Sequence, residues 1–117
     1  MNFNHDFRNG VGKDWTALPE FFKDHGYFTT SAGKLYHDGM DDALSWSYPS
    51  NQTHWIQCSH GDLIENVSFG NYCKVTPESQ HPFTDEDMIL HEGLLRLDMA
   101  SKQPLPWFVG TGIHRPQ

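Results

Sequence analysis

Two short runs hold the residues of this chain best suited to chemistry. Gly33-Lys34-Leu35-Tyr36-His37 sets a lysine and a histidine three positions apart, and Gly110-Thr111-Gly112-Ile113-His114-Arg115-Pro116 brings a second histidine and an arginine out of a glycine-rich stretch. Lysine offers a compact ammonium to the oxygens of an anion. Histidine can bind the same anion or give a proton to a departing oxygen near neutral pH. The candidate set is Lys34, His37 and His114, with Arg115 as a further anion contact. Spacing alone also permits a plainer reading, because G-K-x-x-H is short and degenerate: Lys34 as a solvated loop lysine, the histidines as ordinary polar residues.

Both runs leave segments that read as strands, which is where sites in open α/β sheets form, beyond the carboxyl ends. Thr16 is a candidate helix cap, and Pro19 is tolerated in a first turn whose amides have no intrahelical acceptor. Leu18, Phe21 and Phe22 share a face and Gly26 follows as a stop, so the pattern predicts a helix over Ala17–His25. Tyr27–Ala32, aromatic and β-branched, predicts a strand, after which Gly33 frees the backbone to turn.

Residues Met1–Asp14 read as an extended lead-in, and Gly39 to Pro82 as one long loop with no sustained period of 2 or 3.6. Order returns at Thr84, which with Asp87 resembles a capping box inside a Phe83–Met88 staple. Leu90, Leu94 and Leu97 give the expected buried stripe, with Gly93 costing about 1 kcal/mol relative to alanine. Pro104 and Pro106 end the connection, and Trp107–Val109 predicts a second short strand. The fold class expected is α/β.

With 117 residues the chain forms one domain at most, and a chain of this size buries about two-thirds of its unfolded surface. A net charge of −7 is the wrong sign for a nucleic-acid footprint. No apolar run reaches the roughly 18 residues of a membrane span, and Met1–Phe7 lacks the basic and apolar regions of a signal peptide. Eight histidines and sixteen aromatic residues exceed what a simple packed domain requires and hint at a polar pocket.

Cys58 and Cys73 either pair, which implies an oxidising compartment, or join His60 and His81 in a zinc module whose spacing lacks paired short knuckles. Bridged, they would close about 15 residues, worth around 3 kcal/mol in the chain-entropy view. Asn51-Gln52-Thr53 and Asn66-Val67-Ser68 are acceptor sequons that would place Asn51 and Asn66 on surface loops of a secreted protein. Asp41-Asp42 reads as a solvated acidic pair.

The run L-P-E-F-F-K-D-H-G-Y-F-T-T-S-A-G-K-L-Y-H-D-G (Leu18 to Gly39) resembles the G-Y-x-T-x-x-x-G-K-x-x-H block of the sulfatase family, in the alkaline-phosphatase-like superfamily. The resemblance continues through S-W-S-Y-P (Ser45 to Pro49), the Cys58/Cys73 pair, the helix after Thr84 and the run ending His114-Arg115-Pro116. It extends from about Asn2 to Gln117, yet it corresponds to a middle section of such an enzyme: a partial catalytic domain over residues 1–117, completed by the remainder of a sulfatase chain.

The resemblance implies a mixed sheet with helices on both faces, hydrolysis of a sulfate ester on a sulfated uronic acid or glycosaminoglycan, and a secreted or lysosomal parent. It also favours a Cys58–Cys73 disulfide over zinc. It assigns Lys34 and His114 to the sulfate and leaving-group side, and His37 to the sulfate or the nucleophilic group.

Two parts of the family pattern are missing. Its nucleophile is a formylglycine made from a cysteine in a C-x-P-S-R or C-x-A-S-R run, whereas Cys58 begins C-S-H-G-D and Cys73 begins C-K-V-T-P. Calcium is expected for the complete enzyme. It takes six to eight oxygen ligands, and this chain offers no clear set: Asp41-Asp42 follows a loop, not the apolar strand of the family pattern. The 117 residues alone are therefore expected to bind a sulfate-type anion without turnover, as a truncated relative would, and to be marginally stable.

Overall fold

Helix α1 (Leu18–Asp24), strand β1 (Phe28–Gly33), strands β2 (Leu63–Val67) and β3 (Gly70–Cys73), helix α2 (Asp85–Ser101) and strand β4 (Trp107–Gly112) follow one another along the chain. The computed structural model describes residues 7–36, 40–49, 63–67, 70–73 and 85–113, with the backbone alone for 63–67, 70–73, 85 and 86. The expected cap at Thr84 and its Phe83 staple fall outside these residues. No helix among the described residues is long and apolar enough to cross a membrane.

β1 and β4 pair in parallel, Phe28 opposite Trp107 through Gly33 opposite Gly112. Parallel neighbours need a long crossover, and α2 lies within it. Side chains alternate across a strand. On β4, Thr111 lies against Gly93 of α2, whereas Phe108 stacks on Phe22 of α1 at 5.0 Å between ring centroids. Odd-numbered residues of β4 therefore face α2 and even-numbered ones face α1, so the helices cover opposite faces of the pair. This is the expected mixed α/β arrangement.

The stretch read as one long loop, Gly39 to Pro82, contains an antiparallel hairpin. β2 pairs with β3 from Leu63–Cys73 to Val67–Gly70, with an irregularity between Leu63 and Glu65. Asn66 lies on β2, not in a loop. Four- and five-residue strands are too short to establish a period in sequence.

α1 begins after Ala17, not Thr16, and its first turn is closed by the Glu20 carboxylate, which accepts the Ala17 N–H at 2.9 Å. Gly26, at φ +84°, ends it. Only part of its apolar face is covered: Phe22 packs on Phe108 and Tyr27, but Leu18 and Phe21 stay exposed because the two-stranded sheet is narrow.

The buried stripe of α2 is also not the one expected. Ile89, Gly93, Arg96 and Ala100 face the sheet, while Leu90, Leu94 and Leu97 are exposed. Close approach decides this: a Cβ at Gly93 would stand 3.1 Å from the Thr111 hydroxyl, so only a small residue lets the helix sit here. Arg96 is buried by holding Glu92 through Nε at 2.9 Å and lying over the Tyr48 ring at 4.6 Å.

The buried apolar core among the described residues is Ala32, Trp46, Ile89 and Ala100. Among the described residues, Thr30 Oγ1, Ser31 Oγ, Trp46 Nε1 and Arg96 Nη1 are buried and find no hydrogen-bond partner.

Candidate functional site

Gly33 ends β1 at φ +71°, a conformation that side chains rarely adopt, and a Cβ there would collide with the Gly112 carbonyl oxygen and approach Ile89 Cγ2 at 2.8 Å. The same Gly112 carbonyl accepts the Lys34 N–H at 2.9 Å. The two strand-to-loop junctions thus leave the sheet side by side, at the shared carboxyl end of β1 and β4. Leu35 then packs against Gly110, where a Cβ would meet its Cδ1 at 2.6 Å.

Of the sequence candidates, the structure describes Lys34. His37, His114 and Arg115 lie outside the described residues, as do Asn51 and Cys58; Cys73 and Asn66 are described as backbone on β3 and β2. His60 and His81 of the zinc alternative also lie outside them.

Lys34 is partly buried, and among the described residues no side-chain hydrogen bond or ion pair holds its ammonium. The other described basic residues contrast with it. Arg8 meets Glu20 and Asp42, Lys23 donates to the Leu44 and Trp46 carbonyls, Arg96 meets Glu92, and Lys102 meets Asp98. Lys13 is exposed.

Next to Lys34 lies a polar relay that sequence reasoning missed. The Arg8 guanidinium meets Asp42 through Nε at 3.1 Å and Nη2 at 2.7 Å, and reaches Glu20 at 2.5 Å and the Trp15 carbonyl. Ser45 Oγ donates to Asp42 Oδ2 at 2.7 Å, and the Tyr36 hydroxyl lies 3.0 Å from Ser45 Oγ. The Tyr36 ring sits against Phe7 and Trp46.

Two expectations are corrected here. The described part of the lead-in, residues 7–14, is not extended: it makes a 3-10 turn at Phe7–Asn9 followed by further turns, and Arg8 reaches Asp42 and Glu20. Asp42 is not solvated, since its side chain is 2% exposed, whereas Asp41 is exposed. Arg8 and Asp42 are 34 positions apart, so no local pattern marks them as partners.

Burial alone would raise the Asp42 carboxyl, but hydrogen bonds from Arg8 and Ser45 and the Arg8 charge outweigh it and hold the group below its ordinary value. Hydrogen bonds to Asp42 and then Glu20 push the Arg8 guanidinium further up. Burial raises the Tyr36 phenol, which stays neutral and able to donate.

Asp42 is thus committed to protein partners. Among the described residues no group of three or more His, Cys, Asp or Glu side chains is placed to hold a metal ion. An open groove of about 230 Å³ between α2 and β4, lined by Leu90, Leu94, Leu97, Trp107 and Val109 with Gly93 and Thr111, contains no ionisable group. The candidate chemistry lies at the strand ends instead.

No family model matches the chain. Over 129 aligned positions it is 26% identical to iduronate 2-sulfatase of Homo sapiens and 26% identical to iduronate 2-sulfatase of Mus musculus. Each alignment takes in 98% of this chain and 23% of the relative, so the chain spans about a quarter of the length of the curated relatives it matches. The resemblance carried by Leu18–Gly39, Ser45–Pro49 and Gly110–Pro116 is therefore part of a similarity to sulfatases that runs through almost the whole chain.

Proposed function

We propose that this chain is a section of a sulfuric ester hydrolase of iduronate-2-sulfatase type, and that it supplies the sulfate-binding side of the site. The observation that carries the reading is Lys34. It is partly buried, paired with no carboxylate among the described residues, and set at the joint end of two parallel strands in a chain similar to sulfatases.

In this reading the Lys34 ammonium holds the non-bridging oxygens of the sulfate group. His114 protonates the oxygen that departs as the S–O bond breaks, and His37 holds the sulfate or the attacking group. Arg115 adds positive charge for an acidic sugar. The substrate is a sulfated uronic acid of a glycosaminoglycan-type polysaccharide, met in a secretory or lysosomal compartment. The attacking group and the calcium ligands belong to parts of the enzyme other than these 117 residues, so the chain by itself binds without turnover.

Titration of the 117-residue protein with sodium sulfate at constant ionic strength tests this. Lys34→Ala is expected to weaken sulfate binding about tenfold, the loss of one charge-assisted contact, while Lys13→Ala leaves it unchanged. Equal effects of the two substitutions would remove the basis of the proposal. Release of sulfate from a sulfated uronide by the pure 117-residue protein would overturn the assignment of the attacking group elsewhere.

A further inference from the structure

We propose that Tyr36 is a positioning residue for Lys34, acting through Ser45, Asp42 and Arg8. This rests on the reading of Lys34 as the sulfate contact and names what holds that contact in place.

The relay has one consistent set of protons. Ionised Asp42 only accepts and Arg8 only donates. Ser45 has a single hydroxyl proton, and it goes to Asp42 Oδ2 at 2.7 Å. The Ser45 oxygen must then accept from Tyr36, 3.0 Å away. The order is Tyr36 to Ser45 to Asp42, with Arg8 closing the far end. No member can turn without breaking a neighbour's bond.

The relay closes a ring on the strand that ends in Lys34. Thr29 Oγ1 donates to the Ser45 carbonyl at 2.8 Å, and the Ser47 N–H donates to the Thr29 carbonyl at 2.9 Å. Ser45 is thereby fastened to β1. From β1 the chain runs through Lys34 to Tyr36, and Tyr36 returns to Ser45. Three consecutive residues are pinned: Lys34 by its N–H to Gly112, Leu35 by packing on Gly110, and Tyr36 by Ser45.

Such a ring restrains the Lys34 backbone at the strand end, where its N–H is held by the Gly112 carbonyl. A residue fixed in this way binds an anion with less loss of freedom than one on a loose segment.

The test uses sulfate titration of the 117-residue protein at constant ionic strength, with folding of each variant checked by near-ultraviolet circular dichroism. Tyr36→Phe keeps the ring against Phe7 and Trp46 and removes only the hydroxyl. It is expected to weaken sulfate binding about fivefold, the effect of one hydrogen bond's worth of order. Ser45→Ala breaks the relay from its other side, gives the same loss, and serves if Tyr36→Phe does not fold. In a Lys34→Ala background Tyr36→Phe is expected to add nothing, because the effect passes through Lys34.

Unchanged affinity in folded Tyr36→Phe or Ser45→Ala overturns this inference and leaves the role of Lys34 standing, provided Lys34→Ala weakens binding. A further loss in the double variant equally overturns it, since Tyr36 would then act independently. If the unsubstituted chain takes up no sulfate, both readings fall.

Discussion

Replacing Asp42 with asparagine preserves shape and removes the charge around which Arg8, Ser45 and Tyr36 are arranged. One carboxylate oxygen becomes an amide NH2, so either Arg8 Nε, or Arg8 Nη2 together with Ser45, faces a donor where it had an acceptor. A hydrogen bond to a charged group contributes roughly 1.5–3 kcal/mol, and breaking a buried ion pair costs about 3–5 kcal/mol. Two features set where Asp42 falls. Its side chain is 2% exposed, which argues for the upper figures; Arg8 is 16% exposed and keeps Glu20 at 2.5 Å, which argues for the lower. We expect Asp42→Asn to lose about 2 kcal/mol near neutral pH.

The pH dependence has a definite sign. The folded carboxyl of Asp42 is held below its ordinary value, so its contribution is complete above the unfolded value of about 3.9 and is lost as pH falls through the folded one. Urea unfolding followed by tryptophan fluorescence should show the full gap between parent and variant at about pH 7 and about pH 5. The gap should close in stronger acid. A gap below about 0.5 kcal/mol at neutral pH would mean the pair behaves like a solvated surface bridge. A gap that persists unchanged in acid would show that packing, not charge, was lost. Either result refutes the argument.

Gly33→Ala, forced into positive φ and against the Gly112 carbonyl, is expected to cost about 2 kcal/mol or more in a thermal melt. Phe22→Ala removes a ring stacked on Phe108 and should cost about 2 kcal/mol, whereas exposed Phe21→Ala should stay within about 0.5 kcal/mol. The same comparison on α2 sets Ile89→Ala, fully buried and expected to lose about 2–4 kcal/mol, against Leu94→Ala, 56% exposed and expected to lose less than about 1 kcal/mol. Reversal of that order would restore the leucine stripe as the buried one.

Local chemistry in the amino-acid sequence determined the elements nearest the site. Pro19 and Gly26 bracket α1, and the β-branched run before Gly33 makes β1. The apolar Trp107–Val109 begins β4, and an α/β arrangement follows from strands alternating with helices. Each depends on neighbours in the chain, so each is legible there, and the family resemblance is carried by the same runs.

Tertiary structure decided what depends on approach between distant segments. A two-stranded sheet covers only part of a helix, so Leu18 and Phe21 stay exposed despite their spacing. Thr111 of β4 comes too close to α2 for a larger side chain than Gly93, and Leu90, Leu94 and Leu97 beside it stay exposed along an open groove. The acidic pair Asp41-Asp42 is split into one exposed and one buried carboxylate by an arginine 34 positions away. Charge pairing across such a separation leaves no period or motif, since it is set by where the folded backbone returns. For the same reason the contrast between Lys34 and the paired Arg8, on which the functional reading stands, is set by the folded backbone and not by any local pattern.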